Sequence, residues 1–159
     1  MPPPPGQASI DDMRTVYDAV GGTAGLLALA RAWHERCLAD EVMEHPFSHG
    51  THPEHLERLA AYWAEALGGP ATFTATIGHE ADVLRMHAGN GTHRDMDRRA
   101  VECFDGALTD VGLVSEPLRT VLHDYFAWST QRMGMHPDSP DTVPDDESLP
   151  HWDWGGRVR

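Results

Sequence analysis

The amino-acid sequence predicts an all-α fold, and three observations lead to that prediction. Apolar residues recur at spacings of three and four in four long segments, which is the pattern of an amphipathic helix. Glycine pairs and prolines stand between those segments, where they end one helix and allow the next to begin. Residues 71–77 have a strand-like composition, but no second strand signal pairs with them, so we interpret them as a loop.

Length and charge limit the classes of function. A chain of 159 residues favours one domain with a single core. Its 12 basic and 25 acidic residues give a net charge of −13, which excludes nucleic acid and anionic membrane surfaces as partners. We find no run of about 18 apolar residues and no secretory leader, so we expect a cytoplasmic protein. Cys37 and Cys103 fit no metal-binding spacing and are expected to be reduced, packed thiols.

The composition divides the chain into three parts. Residues 1–9 contain four consecutive prolines and are expected to form a flexible arm, while residues 10–134 form the helical domain. Residues 135–159 are acidic and proline-rich, which predicts that most of this tail is disordered. Trp152 and Trp154 depart from that polar composition and could dock on the domain or on a partner.

Gly21 and Gly22 separate the first two helices. The first is short and begins near Ser9, where Ser9 and Asp12 form an N-cap pair. The second covers residues 23–39, and its apolar stripe consists of Leu26, Leu29, Ala30, Trp33 and Cys37. His34 lies at the margin of this stripe, so its side chain can face inward.

The later helices are bounded in the same way. A helix with Pro53 in its first turn runs to about Leu67, before Gly68-Gly69-Pro70, and a short helix follows from His79 to His87. The two last helices end at Gly112 and Gly134. Their stripes consist of Met96, Ala100, Cys103, Phe104, Ala107 and Leu108, and of Leu118, Val121, Leu122, Tyr125, Phe126, Ser129 and Met133.

His87 is the histidine with the most specific setting. It ends an apolar helical run one turn after Val83 and is followed at once by a glycine-rich break. A histidine held at a helix end can offer one ring nitrogen to a metal while a carbonyl fixes the other nitrogen. From this stretch alone, a structural histidine at the edge of the core is the alternative.

Two other motifs carry chemistry. His45, His49, His52 and His55 have the spacings of a zinc site, although Pro46 and Pro53 interrupt any continuous helix there. Gly89-Asn90-Gly91-Thr92 resembles a phosphate-binding loop, but it lacks a preceding strand and a following lysine, so a connector between helices is the simpler interpretation.

Taken in order along the chain, these helices and motifs resemble those of a truncated haemoglobin. Within that family, the resemblance is strongest to the second of its three groups. The resemblance covers residues 10–134. It depends on the residues 17–22, Phe47 after a proline, Tyr62 and Trp63 before Gly68-Gly69-Pro70, the stretch from Leu84 to Ala88, and the stretch from Ala100 to Phe104. It implies a two-on-two helical sandwich around haem b.

Residue by residue, the resemblance implies a haem site. His87 matches the proximal iron ligand, and Phe47 matches the aromatic residue that packs on the porphyrin. His34 and His55 match distal positions that face and stabilise a bound ligand, and His55 could instead coordinate the iron itself. The remaining residues matched to the cofactor are Leu59, Tyr62, Trp63, Leu84, Ala100 and Phe104.

Two departures from the family pattern concern the distal side. His34 stands where these proteins usually carry tyrosine, and Ala100, or Val101 in a shifted register, stands where the second group usually carries a hydrogen-bonding tryptophan. The distal hydrogen bonds are therefore expected to be built differently.

The function implied by the resemblance is binding of O2, NO or another small diatomic ligand. A redox activity such as nitric oxide dioxygenation or peroxide reduction would need a separate reductase, and the protein would be a monomer or homodimer. Two alternatives from other classes are a non-haem metal protein using His45, His49, His52 and His55, and a haem-free helical sensor module.

Overall fold

The computed structural model describes residues 14–47 and 50–158, and within these ranges it confirms the all-α prediction. The six α-helices there are α1 (Val16–Ala19), α2 (Gly22–Leu38), α3 (His55–Ala66), α4 (Glu80–His87), α5 (Arg94–Asp110) and α6 (Leu118–Met133). The arm at residues 1–9, the cap pair Ser9 and Asp12, and His49 lie outside the described residues.

Shorter elements connect these helices. Residues His45–Phe47 and Pro140–Thr142 are 3-10 turns, and β1 (Trp152–Asp153) pairs with β2 (Gly156–Arg157) in an antiparallel hairpin. The prediction that residues 71–77 form a loop is wrong, because Phe73–Ile77 form a π-helical turn. Its shape has two local causes: Phe73 is buried against the ring of Tyr62, and the carboxylate of Glu65 accepts hydrogen bonds from Thr74.

Local chemistry explains the start of the domain. The Thr15 hydroxyl accepts a hydrogen bond from the Asp18 backbone N–H, and the Asp18 carboxylate accepts one from the Thr15 backbone N–H, so α1 begins with a capping box. Gly21, with a φ of 99°, turns the chain from α1 into α2 in the left-handed conformation that glycine adopts without strain.

The long helices form a two-on-two sandwich in which α2 and α3 make one layer and α5 and α6 the other. Aromatic rings fill the space between the layers. The Trp33 ring lies 6.3 Å from the Trp63 ring and 5.6 Å from the Phe126 ring, and Phe126 stacks on Phe104 at 4.1 Å. The Trp33 indole N–H also donates to the Ala100 carbonyl oxygen at 3.1 Å, which ties α2 to α5.

Ion pairs fix the register between α2 and α5. The Arg36 guanidinium donates to both carboxylate oxygens of Asp110 at 2.6 and 2.8 Å, and Arg99 donates to Asp40 at 3.0 Å. Cys37 and Cys103 are both buried in the main core, which confirms the prediction that they are packed. Burial raises the pKa of both thiols, so little reactive thiolate is present at neutral pH.

The C-terminal tail is packed, and its predicted disorder is wrong for residues 135–158. Trp152 is 9% exposed and lies 5.7 Å from the Tyr125 ring, and the Trp154 indole N–H donates to the Arg14 carbonyl oxygen at 2.7 Å. Docking of both tryptophans, the alternative raised from the sequence, is confirmed. A few widely spaced apolar residues anchor this segment, and they have no helical or strand period that the composition could reveal.

None of the described helices combines the length and the apolar character needed to cross a lipid bilayer.

Replacing Trp152 with alanine tests the docking of the tail. We expect Trp152→Ala to lower the free energy of unfolding by about 3 kcal/mol, because it removes a large buried side chain and leaves a cavity against α6. Chemical denaturation followed by circular dichroism measures this change. Val158→Ala is the control, since Val158 is 48% exposed. An equal, small effect of both substitutions would contradict the docking.

Candidate functional site

The ring of His87 is fixed at one nitrogen only. His87 is the last residue of α4, and its Nδ1 lies 2.8 Å from the Val83 carbonyl oxygen one turn earlier. A carbonyl can only accept, so Nδ1 carries the proton and donates, which leaves Nε2 with a free lone pair. The ring is exposed on the described chain. This is the arrangement that an axial imidazole ligand requires.

Three elements bring a second group of side chains together. His34 comes from α2, Phe47 from the 3-10 turn and His55 from the first residue of α3. The ring centres of His34 and His55 are 5.7 Å apart, and Phe47 lies 5.0 Å from His34 and 6.0 Å from His55. The structure therefore gathers the two histidines and the phenylalanine that the sequence assigned to the distal side.

The two distal histidines each have a buried nitrogen without a partner. His34 Nδ1 and His55 Nε2 are enclosed, and neither has a hydrogen-bond partner among the described residues. A buried polar atom left unpaired costs about 1–3 kcal/mol, so native proteins rarely keep one without reason. Two such atoms on adjacent imidazoles mark a place where a polar ligand would be held.

Burial and neighbouring histidines both affect the protonation of His55. Burial lowers the pKa of His55, and the nearby His34, His52 and His87 lower the pKa further because like charges would repel. His55 is therefore neutral at neutral pH, with one nitrogen that donates and one that accepts.

Four of the remaining candidates lie in or beside the main core. Trp63, Ala100 and Phe104 are buried between the helix layers, and Leu59 is partly buried against them. The Ala100 carbonyl is occupied by the Trp33 indole N–H. Their role as cofactor contacts remains a prediction, and their packing shows that they form the apolar interior behind the distal group.

Tyr62 and Leu84 have positions that support α4. The Tyr62 hydroxyl donates to Glu80 Oε1 at 2.7 Å, which ties α3 to the first residue of α4. Leu84 is 2% exposed and packs in a small cluster one helical turn after Glu80. Contact of either residue with the cofactor stays a prediction.

Sequence reasoning missed a buried ion pair near the site. Arg132 donates through Nε to Glu80 Oε2 at 2.9 Å, and Glu80 is 3% exposed. Burial raises the pKa of Glu80, while the hydrogen bonds from Tyr62 and Arg132 oppose that rise. No pattern could have revealed the pair, since an acidic residue in a first helical turn and a basic one in a last turn are ordinary.

The zinc alternative gains no support from the described residues. Within residues 14–47 and 50–158, no three histidine, cysteine, aspartate or glutamate side chains are arranged to hold a metal ion. His52 Nδ1 accepts a hydrogen bond from the Glu54 backbone N–H at 3.0 Å, and His49 is outside the described chain.

The residues present fit a haem group. His87 offers one free imidazole nitrogen, the distal pair offers two unpartnered buried nitrogens, and Phe47 adds an aromatic surface beside them. A planar, apolar cofactor with a metal centre needs an axial nitrogen, apolar walls and a few distal donors.

Comparisons with known proteins bear on the family and the fold of the chain. The family model of the bacterial-like globins matches residues 15–133. Over 109 residues the chain is 29% identical to the group 1 truncated hemoglobin GlbN of Mycolicibacterium paratuberculosis, and the alignment covers 68% of this chain and 76% of the relative.

Solved structures share the fold. The group II truncated hemoglobin from Bacillus anthracis superposes with a TM-score of 0.68 at 20% identity, covering 79% of this chain and 95% of its own. The hemoglobin of Chloroflexus aurantiacus superposes with a TM-score of 0.65 at 27% identity, covering 76% and 97%. The chain belongs to the bacterial-like globin family, as a truncated haemoglobin whose cofactor is haem b.

Proposed function

We propose that this truncated haemoglobin binds O2 or another small diatomic ligand, with His87 as the axial ligand and His34 and His55 as the residues that hold the ligand. The observation that carries the proposal is the pair of buried, unpartnered nitrogens on His34 and His55. A ligand that accepts a hydrogen bond there would satisfy a donor that the protein leaves unpaired.

Bound haem supplies reversible ligand binding and electron transfer at its iron. The chain contributes the environment. The Val83 carbonyl fixes the tautomer and the direction of the His87 ring, so Nε2 keeps its lone pair. Phe47 packs against His34 and thereby limits the rotation of the distal imidazole.

The distal donors in this proposal are imidazoles, because the tryptophan that the resemblance would place on this side is absent. Alanine stands at position 100, where the resemblance would place a tryptophan. The indole N–H of Trp33 on α2 donates to the Ala100 carbonyl oxygen. Hydrogen bonding to the ligand therefore falls to His34 and His55.

The same pocket supports consumption of nitric oxide or peroxide when a separate reductase supplies electrons. His55 favours the peroxide reaction, because its lowered pKa keeps it neutral and able to accept a proton. Removal of peroxide by the haem-loaded protein with an artificial electron donor tests this extension. His55→Leu should slow that reaction while leaving haem content unchanged, and an equal rate would contradict the proton-accepting role.

Replacing the axial histidine tests the haem assignment. We expect His87→Ala to lose haem or to bind it only with added imidazole, because no other side chain of α4 can supply the nitrogen. Absorption spectroscopy with a pyridine haemochrome assay measures the bound haem. His79→Ala is the matched control, since His79 is exposed at the opposite end of the same helix. An unchanged spectrum in His87→Ala would move the ligand elsewhere.

The distal histidines are tested by ligand release. A hydrogen bond to a charged acceptor is worth roughly 1.5–3 kcal/mol, so losing the dominant donor should speed O2 release by about 10- to 100-fold. Stopped-flow kinetics of His34→Leu and His55→Leu measure this, with the exposed His52→Leu as control. Equal release rates in all variants would contradict the role. A low-spin parent that becomes high-spin only in His55→Leu would show that His55 binds the iron.

The pKa of His55 predicts a pH dependence of stability. Because the folded pKa lies below the ordinary value of 6.5, the folded state resists protonation. Stability is complete above that value and falls as the pH drops through it toward the folded pKa, since the unfolded chain binds more protons there. We expect the melting temperature of His55→Gln to fall less than that of the parent between about pH 7 and pH 5. Parallel curves would contradict the prediction.

A further inference from the structure

The segment that follows α6 crosses the outer side of α4, and we name residues 136–147 the strap. Its first residues pair with the loop that leaves His87. The Gly89 backbone N–H donates to the His136 carbonyl oxygen at 2.9 Å, and the Gly91 N–H donates to the Pro137 carbonyl oxygen at 2.9 Å. The chain on the C-terminal side of His87 is therefore held by backbone hydrogen bonds to the strap.

Close contact continues at Gly89. A Cβ added there would lie 3.0 Å from Pro140, and the φ of 77° at this position favours glycine independently. The glycine thus permits the strap to approach the loop two residues beyond His87.

Apolar packing covers the outer face of α4. Val143 of the strap is 4% exposed and forms a cluster, separate from the main core, with Ala81, Leu84 and Ala88. Residues 81, 84 and 88 share one side of α4 because they are one and two helical turns apart. Val143 of the strap and Met133 at the end of α6 together cover this side of the helix.

Polar contacts fix the strap along its length. Arg85 of α4 donates to the Val143 carbonyl oxygen at 3.3 Å and pairs with the Asp145 carboxylate. Arg132 donates through Nη2 to Glu147 Oε2 at 2.9 Å while its Nε binds Glu80. The first residue of α4 is therefore connected to α6 and to the end of the strap through a single guanidinium.

These contacts matter because α4 is short. A helix of eight residues has little stability of its own, so its neighbours determine where it lies. The family match ends at residue 133, so the strap follows the matched region. The position of α4, and with it that of His87, depends partly on a segment outside that region.

We propose that the strap positions the axial histidine: through Val143, Arg85 and Glu147 it holds α4 in place and thereby sets how firmly His87 binds haem. This inference depends on the proposed role of His87 as the axial ligand. In this proposal Val143 and Glu147 are positioning residues, since they act through α4.

A matched pair of substitutions in the tail tests the proposal. Val143→Ala and Leu149→Ala each truncate a buried apolar residue, but Leu149 packs in the main core and Val143 against α4. Two measurements use the full-length, haem-loaded protein: the rate of haem transfer to excess apomyoglobin, and the iron–histidine stretching band in the resonance Raman spectrum of the ferrous form.

The expected results differ between the two variants. Val143→Ala should speed haem transfer by about tenfold and shift or broaden the iron–histidine band. The reason is that α4 loses packing on this side, so it holds the His87 ring less firmly. Leu149→Ala should lower the melting temperature and leave the band and the transfer rate near those of the parent. An equal effect of both variants on the band, or an effect of neither, would overturn the proposal.

Glu147 gives an independent comparison. Glu147→Ala removes the acceptor for Arg132 and should also shift the band, whereas Glu147→Gln keeps an acceptor oxygen and should restore it. Identical bands in these two variants would argue against positioning by Arg132 and Glu147. A parent that lacks an iron–histidine band dependent on His87 would overturn the proposed function as well, so the two failures are distinguishable.

Discussion

The four long helices depend on the side chain of Trp33. Its ring contacts those of Phe47, Trp63 and Phe126, and its N–H binds the carbonyl of Ala100. One side chain therefore joins α2 to α3, α5 and α6. Aromatic pairs of this kind contribute about 0.5–1.5 kcal/mol each beyond their buried area, so the indole makes several favourable contacts at the centre of the sandwich.

This structural role has a chemical consequence on the distal side. His34 is the neighbour of Trp33 on α2, so the packing of the indole fixes the stretch of helix from which the imidazole projects. The Trp33 indole N–H is already paired, whereas His34 Nδ1 and His55 Nε2 have no partner among the described residues. The polar groups that the proposed distal site offers to a ligand are therefore imidazoles rather than this indole.

Most of the fold could be predicted from the sequence, because each long helix buries one regular stripe of apolar residues. The contact of the His87 ring with a backbone carbonyl could be predicted for a similar reason, since Val83 lies one helical turn earlier. The packing of the C-terminal tail could not, because Val143, Leu149 and Trp152 stand singly among prolines and acidic residues. Its position depends on contacts between residues far apart in sequence, such as Arg85 with Asp145, and no local pattern encodes them.

The sequence also could not show how the polar groups of α4 are satisfied. Glu80 is buried only because Tyr62 and Arg132 come from two other helices to bind it. An isolated buried carboxylate would strongly destabilise the folded state. A paired one is tolerated only when its partner residues are in place. Such groups become visible only when the tertiary structure is known.

The separation of the apolar residues into two clusters has a consequence for how the protein opens. The small cluster contains α4 residues and Val143, and the main core does not include them. Proteins open locally in units that follow such divisions, at a cost below that of global unfolding. By that rule, α4 and the strap would open as one unit, with Met133 and the bonds from Tyr62 and Arg132 to Glu80 as its links to the aromatic core. In the proposed function, such an opening would admit the cofactor on the side of His87 while the sandwich stays folded.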